Sequence, residues 1–301
     1  MKCLIACVTK MNRVYIAGAG GMLGSDMCRV FSGTHTVKAS DIDLNEDWLH
    51  YADVRNKEMM RRSITEFNPH LIINLAALTD LEYCEEHPKE SLITNYVGAK
   101  NLQEIAKELN VPYVYISTAG IFGGKKDSYT EEDTPDPTSA YGRGKYSGER
   151  HVLHNYDKSY VFRAGWMMGG GKKDKKFIAK ILKQIEEGAE EIYAVEDKQG
   201  TPTYTLDFSK CLHNAITKGI PYGLYNMVCD GHVSRLDVAK QMIEVLGLDI
   251  PVHSVSSDFF IREYSAPRPA CEALVNRKLN LLGENIMRDW EVCLQEYLNE
   301  R

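Results

Sequence analysis

Tyr141 and Lys145 stand four residues apart in Tyr141-Gly142-Arg143-Gly144-Lys145. On a helix that spacing puts a phenol and an ammonium on one face. A free tyrosine ionises at about 10, and a cation one turn away stabilises the phenolate. The pair is therefore expected to carry acid–base chemistry with a phenol pKa drawn toward neutrality. Such a pair also arises by chance. It gains weight from the stretch before it, Val114-Tyr115-Ile116-Ser117-Thr118-Ala119-Gly120-Ile121-Phe122-Gly123. This reads as a strand running into hydroxyl residues at its C-terminal end, where open parallel sheets bind ligands and a hydroxyl can hydrogen-bond a reacting oxygen.

A third component is Gly18-Ala19-Gly20-Gly21-Met22-Leu23-Gly24. Gly18, Gly21 and Gly24 have the spacing of a dinucleotide loop, in which one glycine makes the tight turn, one lets backbone approach a pyrophosphate and one lets helix and strand pack. The helix N-terminus that follows offers free N–H groups to phosphates. A glycine-rich turn without a ligand is the plain alternative. Asp41 closes the next strand, placed to accept hydrogen bonds from ribose hydroxyls and to repel a 2′-phosphate, so NADH is favoured and NADPH is the alternative. Asp53, in Ala52-Asp53-Val54, is either a contact to the adenine edge or a loop cap.

The elements that must position these residues alternate. Strands are expected at Arg13–Ala17, His35–Ser40, Leu71–Leu75, Val114–Ser117 and Tyr160–Arg163. Helices are expected at Met22–Phe31, Lys57–Phe67 and Ala140–Leu153, with a further one whose apolar face carries Leu102, Ile105, Ala106 and Leu109. Asn110 can close that last helix in the left-handed conformation. The alternation implies an α/β fold, a doubly wound parallel sheet (Rossmann) over residues 11–165. Residues 166–301 read as a smaller substrate-binding α/β subdomain with some segments returning to the main sheet.

With these motifs in hand, the chain resembles the extended short-chain dehydrogenases/reductases, and within them the dTDP-4-dehydrorhamnose reductase family. The resemblance covers residues 12–300 and runs through the glycine loop, Asn74-Leu75-Ala76-Ala77-Leu78-Thr79-Asp80, Asn95-Tyr96-Val97-Gly98, Ser117-Thr118 and Tyr141 with Lys145. It continues through Arg163-Ala164-Gly165-Trp166, Gln199-Gly200-Thr201-Pro202-Thr203 and Arg268-Pro269-Ala270. It implies a nucleotide-sugar 4-ketoreductase that passes hydride from NAD(P)H to the C4 carbonyl of a 4-keto-6-deoxyhexose nucleotide. Thr118 would hold the carbonyl oxygen, Tyr141 would protonate it, and Lys145 would bind the nicotinamide ribose and tune Tyr141. Asn95 would support a water relay behind Lys145. Met22, Leu23, Val54, Ala76 and Ala77 join the cofactor residues; Thr79 would lie near both cofactor and sugar; Ala119, Trp166 and Arg268 would approach the sugar. Family members carry Asp-Tyr after the threonine. Ala119-Gly120 stands here, so the polar group beside the reacting sugar is expected to be missing. Dimers are usual in the family.

Composition narrows the alternatives. The 301 residues are 44% hydrophobic and 26% charged, ordinary for a soluble globule. A net charge of −6 without a long basic run argues against nucleic acid or anionic membrane as partner. Eight scattered cysteines without a CxxC pair suit reduced thiols of the cytoplasm. Residues 1–10 read as an upstream-start extension before Met11. Gly169-Gly170-Gly171-Lys172 fails as a P-loop, because Trp166 and Lys173 stand where Gly and Ser or Thr belong. Lys172–Lys176 would either meet a nucleotide-sugar diphosphate or form a solvated loop. His151 and His154 lack a third ligand, and no metal site is expected. Two further functional readings remain: an epimerase or dehydratase of the same superfamily, and a non-catalytic regulatory subunit on the same fold.

Overall fold

The architecture is that of a computed structural model, described for residues 12–300; the expected extension at 1–10 lies outside the described residues. Strand β1 (Arg13–Ala17) has four of its five residues fully buried, as a central strand covered on both faces requires. It is followed by β2 (Thr36–Asp41), β3 (Leu49–Tyr51), β4 (Leu71–Asn74), β5 (Tyr113–Thr118) and β6 (Ser159–Ala164). The chain continues through β7 (Trp166–Met168), β8 (Ile192–Val195), β9 (Gln199–Gly200), β10 (Pro202–Tyr204), β11 (Gly223–Asn226), β12 (Val233–Ser234) and β13 (Val252–Val255). The main sheet has seven parallel strands in the order β11-β6-β5-β4-β1-β2-β3, so β11 does return to it from the second half. Strand order reverses at β1 and β4, and the crevice beyond their C-terminal ends is where such sheets take ligands. The other short strands pair two by two: β7 with β10, β9 with β12, and β8 with β13.

Helices flank the sheet: α1 (Met22–Ser32), α2 (Lys57–Phe67), α3 (Leu81–Glu86), α4 (Pro88–Leu92), α5 (Gly98–Glu108), α6 (Ala140–Asn155), α7 (Phe177–Glu186), α8 (Thr205–Lys218) and α9 (Arg235–Val245). The period of two along each strand divides the core. Val14, Ile16, Ile73, Val114, Ile116 and Phe162 pack with α1 and α8. Tyr15, Ala17, Ile72, Tyr113, Tyr115 and Val161 pack with α2, α5 and α6. Local signals set the helix ends. The Asn56 side chain caps α2 by accepting from Met59 N–H at 3.1 Å, and Asn68 closes it at φ +50° ahead of Pro69. Asn110 turns left-handed after α5 at φ +56°, as its position implied.

Helix α6 lies unusually close to its neighbours. A Cβ on Gly148 would fall 2.6 Å from the Tyr115 hydroxyl, and one on Gly144 3.2 Å from Asn95 Cβ. The two glycines share a face, and on that face α6 meets a π-helical turn, Ile93–Val97, with Asn95 at its centre. This approach seats Lys145 against the sheet.

Candidate active site

The glycine loop separates into distinct jobs. Gly18 sits at φ +76°, and a Cβ there would fall 2.2 Å from Ala76 N, so only glycine lets the end of β1 touch the end of β4. A Cβ on Gly24 would strike Ala19 O at 1.9 Å, which is the helix–strand packing contact. Gly21 has no close neighbour beyond Gly18 O at 3.8 Å. It is the N-cap of α1, without a side-chain cap and without an acidic residue in the first turn. The α1 N-terminus thus keeps N–H groups and partial positive charge for an anion. Met22 begins the helix, while the Leu23 side chain is in the core, which leaves its backbone alone to face a ligand.

Around this loop the expected cofactor residues take definite places. Asp41 Oδ2 accepts from Gly20 N–H at 2.8 Å and Oδ1 from Asp43 N–H at 3.0 Å, so its carboxylate lies on the loop itself. Asp53 is clasped by Arg55, whose Nε donates to both carboxylate oxygens at 2.9 Å. Burial works to raise the Asp53 pKa, but the hydrogen bonds and charge of Arg55 outweigh it and hold the carboxyl below its usual value. Val54 is buried, its Cγ2 occupying the space a Cβ on Gly98 would need. Ala76 and Ala77 are half-buried beyond β4, with Ala76 N–H donating to Asn74 Oδ1 at 3.0 Å.

The acid–base residues converge. Thr118 ends β5, and its Oγ1 accepts from Gly120 N–H at 3.1 Å. Tyr141 lies in the first turn of α6, whose N-cap Ser139 accepts from Gly142 N–H at 3.0 Å, and it hydrogen-bonds Thr118. A point one Cβ beyond Gly120 is 3.5 Å from Thr118 Oγ1 and 3.7 Å from Tyr141 Cε1. One turn on, Lys145 is 3% exposed with Nζ 4.2 Å above the centre of the Tyr115 ring. Tyr115 is itself fixed, donating to Asn95 O at 3.1 Å and approaching Lys145 O at 3.3 Å. Beneath them Glu149, one turn beyond Lys145, is buried with Arg163 at 2.5 Å and Ser117 at 2.7 Å.

Burial reverses the expected electrostatics. Desolvation pushes Tyr141 up to about 12, the Thr118 hydrogen bond opposing it. Desolvation draws Lys145 down to about 7, with Glu149 pulling it back. Spacing alone implied a lowered phenol pKa; in the chain by itself the low-dielectric setting disfavours both charges more than the neighbouring charges favour them.

Several residues differ from their expected surroundings. Ala119 is buried among Ile121, Phe122, Tyr129, Val228 and Leu274, while Gly120 faces Thr118 and Tyr141. Asn95 commits its side chain to the 76–79 loop, accepting from Leu78 N–H and donating to Leu78 O, both at 3.0 Å. Thr79 is held through its O and Oγ1 by Lys176 at 3.1 and 3.2 Å, and Lys173 reaches Glu46 and Ser25 at 3.0 and 3.2 Å. Lys173 and Lys176 therefore reach residues beside the cleft, while Lys172 and Lys175 are exposed. Arg268 donates to both oxygens of Glu82 at 2.8 and 3.1 Å, closing over the same cleft. Trp166 donates from Nε1 to Glu272 Oε2 at 2.8 Å. Glu272 Oε1 lies 3.2 Å from the Cβ position of Gly120. A carboxylate thus stands beside Gly120, brought in by a residue the motif reading passed over. Arg235, also unforeseen, stacks 3.6 Å above the Trp166 ring. Only proximity to Arg268-Pro269-Ala270 marked Glu272 in the sequence. Among the described residues no group of three or more His, Cys, Asp or Glu is arranged to hold a metal ion.

Sheet order, glycine loop and Thr–Tyr–Lys constellation together define an extended short-chain dehydrogenase/reductase. The family model described as the RmlD substrate binding domain matches residues 11–301, and the chain belongs to that family. It is 30% identical over 292 residues to the spore coat polysaccharide biosynthesis protein SpsK of Bacillus subtilis, covering 97% of this chain and 98% of that one. It is 30% identical over 289 residues to a dTDP-4-dehydrorhamnose reductase of Mycolicibacterium smegmatis, covering 95% and 84%. Among solved structures, a dTDP-4-dehydrorhamnose reductase of Clostridium acetobutylicum superposes with a TM-score of 0.87 at 30% identity, covering 96% of this chain and 99% of that one. That of Bacillus anthracis, in complex with NADP, superposes at 0.88 with 28% identity and the same coverages.

Proposed function

We propose that this protein is a nucleotide-sugar 4-ketoreductase that reduces the C4 carbonyl of a 4-keto-6-deoxyhexose nucleotide. The observation that carries the reading is the meeting of Thr118 and Tyr141 around the bare Cα of Gly120, with Lys145 one turn away. The cleft fits a nicotinamide dinucleotide: Gly21 leaves the loop open, and the α1 N-terminus is uncapped. When bound, that cofactor supplies the hydride. The chain supplies the rest. Tyr141, held protonated at neutral pH by burial, gives its proton to the C4 oxygen. Thr118, which accepts from Gly120 and hydrogen-bonds Tyr141, turns its single proton to the developing alkoxide when substrate binds. Lys145 holds the ribose and offsets the charge left on Tyr141. The relatives named dTDP-4-dehydrorhamnose reductase support a dTDP-linked sugar.

The test is a panel of dTDP-, GDP- and UDP-linked 4-keto-6-deoxyhexoses assayed with NADH and NADPH. One reduced cofactor should disappear per sugar reduced. Isomerised or dehydrated product without net absorbance change would make the protein an epimerase or dehydratase. A stoichiometric co-purifying partner with no turnover of any sugar would make it a regulatory subunit.

NADH is the preferred cofactor in this reading. Asp41 and Asp43 stand at the end of β2 beside the glycine loop, where the 2′-phosphate of NADPH would meet like charge. Asp41→Ser should lower kcat/KM with NADH and raise it with NADPH, moving their ratio by about 10- to 100-fold. An unmoved ratio would remove Asp41 from cofactor selection. A cytoplasmic location is part of this reading and is supported by the six cysteines of the described residues, all free thiols. Among the described residues no helix is long and apolar enough to cross a membrane.

A further inference from the structure

Gly120 leaves a gap directly beside the two groups that would hold the reacting oxygen, and a carboxylate from a distant loop fills it. Glu272 follows a segment tied to β9: Gln199 N–H donates to Ala270 O at 2.8 Å, and Glu272 N–H donates to Gln199 O at 2.8 Å. Its Oε2 is taken by the Trp166 indole N–H. That indole is seated in turn, because a Cβ on Gly200 would overlap it at 2.2 Å and Arg235 covers it at 3.6 Å. The carboxylate is therefore held by one hydrogen bond from an indole that is itself fixed on two sides. Its other oxygen, Oε1, points into the space beside Gly120 and accepts no hydrogen bond from the described residues.

An ionised carboxylate can only accept, so the free oxygen calls for a donor on the substrate. We propose that Glu272 is a specificity-determining residue whose Oε1 accepts a hydrogen bond from a neutral hydroxyl on the carbon next to the carbonyl. In a 4-keto-6-deoxyhexose C5 bears the methyl group, so that hydroxyl is the one on C3. The inference rests on the ketoreductase reading above. A hydroxyl fits better than an ammonium group, because the Arg235 guanidinium acts electrostatically on Glu272 and already answers its negative charge. A site that offers a substrate hydroxyl a fixed acceptor discriminates against the analogue that lacks it, since the acceptor is then left unpaired.

The experiment compares wild type, Glu272→Gln and Glu272→Ala on two sugars that differ only at C3, dTDP-4-keto-6-deoxyglucose and its 3-deoxy analogue, at saturating cofactor. Wild type should favour the hydroxylated sugar in kcat/KM by about 10- to 100-fold. Glu272→Ala should compress the ratio to within about threefold. Glu272→Gln keeps an acceptor oxygen but loses the charge, so it should fall between, and it carries the test if the alanine variant fails to fold. A ratio unchanged in the folded variants overturns the assignment of Glu272 while leaving the ketoreductase reading intact. Should the panel above find a different nucleotide active, the pair is made on that nucleotide. Wild type that consumes no reduced cofactor with any dTDP-, GDP- or UDP-linked sugar of that panel overturns that reading, and this inference with it.

Discussion

Replacing Tyr141 by Phe should lower kcat by about 10²–10⁴-fold, the usual worth of a positioned general acid, while the cofactor dissociation constant changes by no more than about twofold. The reason lies in what the substitution leaves in place. The phenyl ring retains the packing of the first turn of α6, and the Ser139 cap is untouched. Thr118 keeps its Gly120 partner and can still donate to the carbonyl oxygen. What disappears is the one phenolic proton beside that oxygen. Burial holds it in place until well above neutral pH, whereas Lys145 loses its charge near 7, so wild-type activity should fall as the pH rises through about 7, with Lys145 and not the phenol setting that limb. Single-turnover reduction, followed by nicotinamide absorbance, measures the chemical step; quenching of intrinsic fluorescence measures cofactor binding. Normal turnover by Tyr141→Phe would show that the proton comes from elsewhere. Equal losses in binding and rate would make Tyr141 a residue of the cofactor pocket only.

The parts of this site that could be read from the chain are those whose signal is local. The glycine spacing, the strand-end hydroxyls and the i, i+4 pair each occupy one short segment, and the alternating elements place those segments at the same end of one sheet. Strands β1, β2, β4, β5 and β6 are four to six residues long and could be read, whereas β3, with three, could not. Likewise β7, β9, β10 and β12 have two or three residues each, too few for any period to show. Glu272 and Arg235 reach the site only by tertiary packing, and no short-range pattern announces a carboxylate that comes from another loop. The same holds for Arg268, whose direction is set by Glu82 on α3. The ionisation of Tyr141 and Lys145 in the chain by itself is hidden from spacing for a related reason. Spacing reveals which charges are neighbours, but the desolvation that outweighs them depends on the glycine-lined contact of α6 with Asn95 and Tyr115.

That contact makes Lys145 an expensive residue to keep, and replacing it by Met should stabilise the fold while abolishing activity. Lys145 ionises near 7 in the folded chain against an ordinary value of 10.5. Below about 7 both folded and unfolded chains hold the proton and the cost of the buried charge is fully present. Between 7 and 10.5 the unfolded chain binds more protons, so stability rises with pH; above 10.5 the effect is gone. At ~1.4 kcal/mol per unit the cost reaches a few kcal/mol at neutral pH. Methionine fills a similar volume without charge, and its loss of the contact over Tyr115 is worth only about 1 kcal/mol. No charge is stranded, because Glu149 retains Arg163 and Ser117. At pH 7 Lys145→Met should therefore melt several degrees above wild type, by about 2–4 °C per kcal/mol, and the gap should close as the pH is raised to about 10. Turnover should fall by at least about 10²-fold, since ribose and phenolate both lose their cation. A variant that melts below wild type at pH 7 would mean that Lys145 holds the fold together, and that its burial serves structure before chemistry.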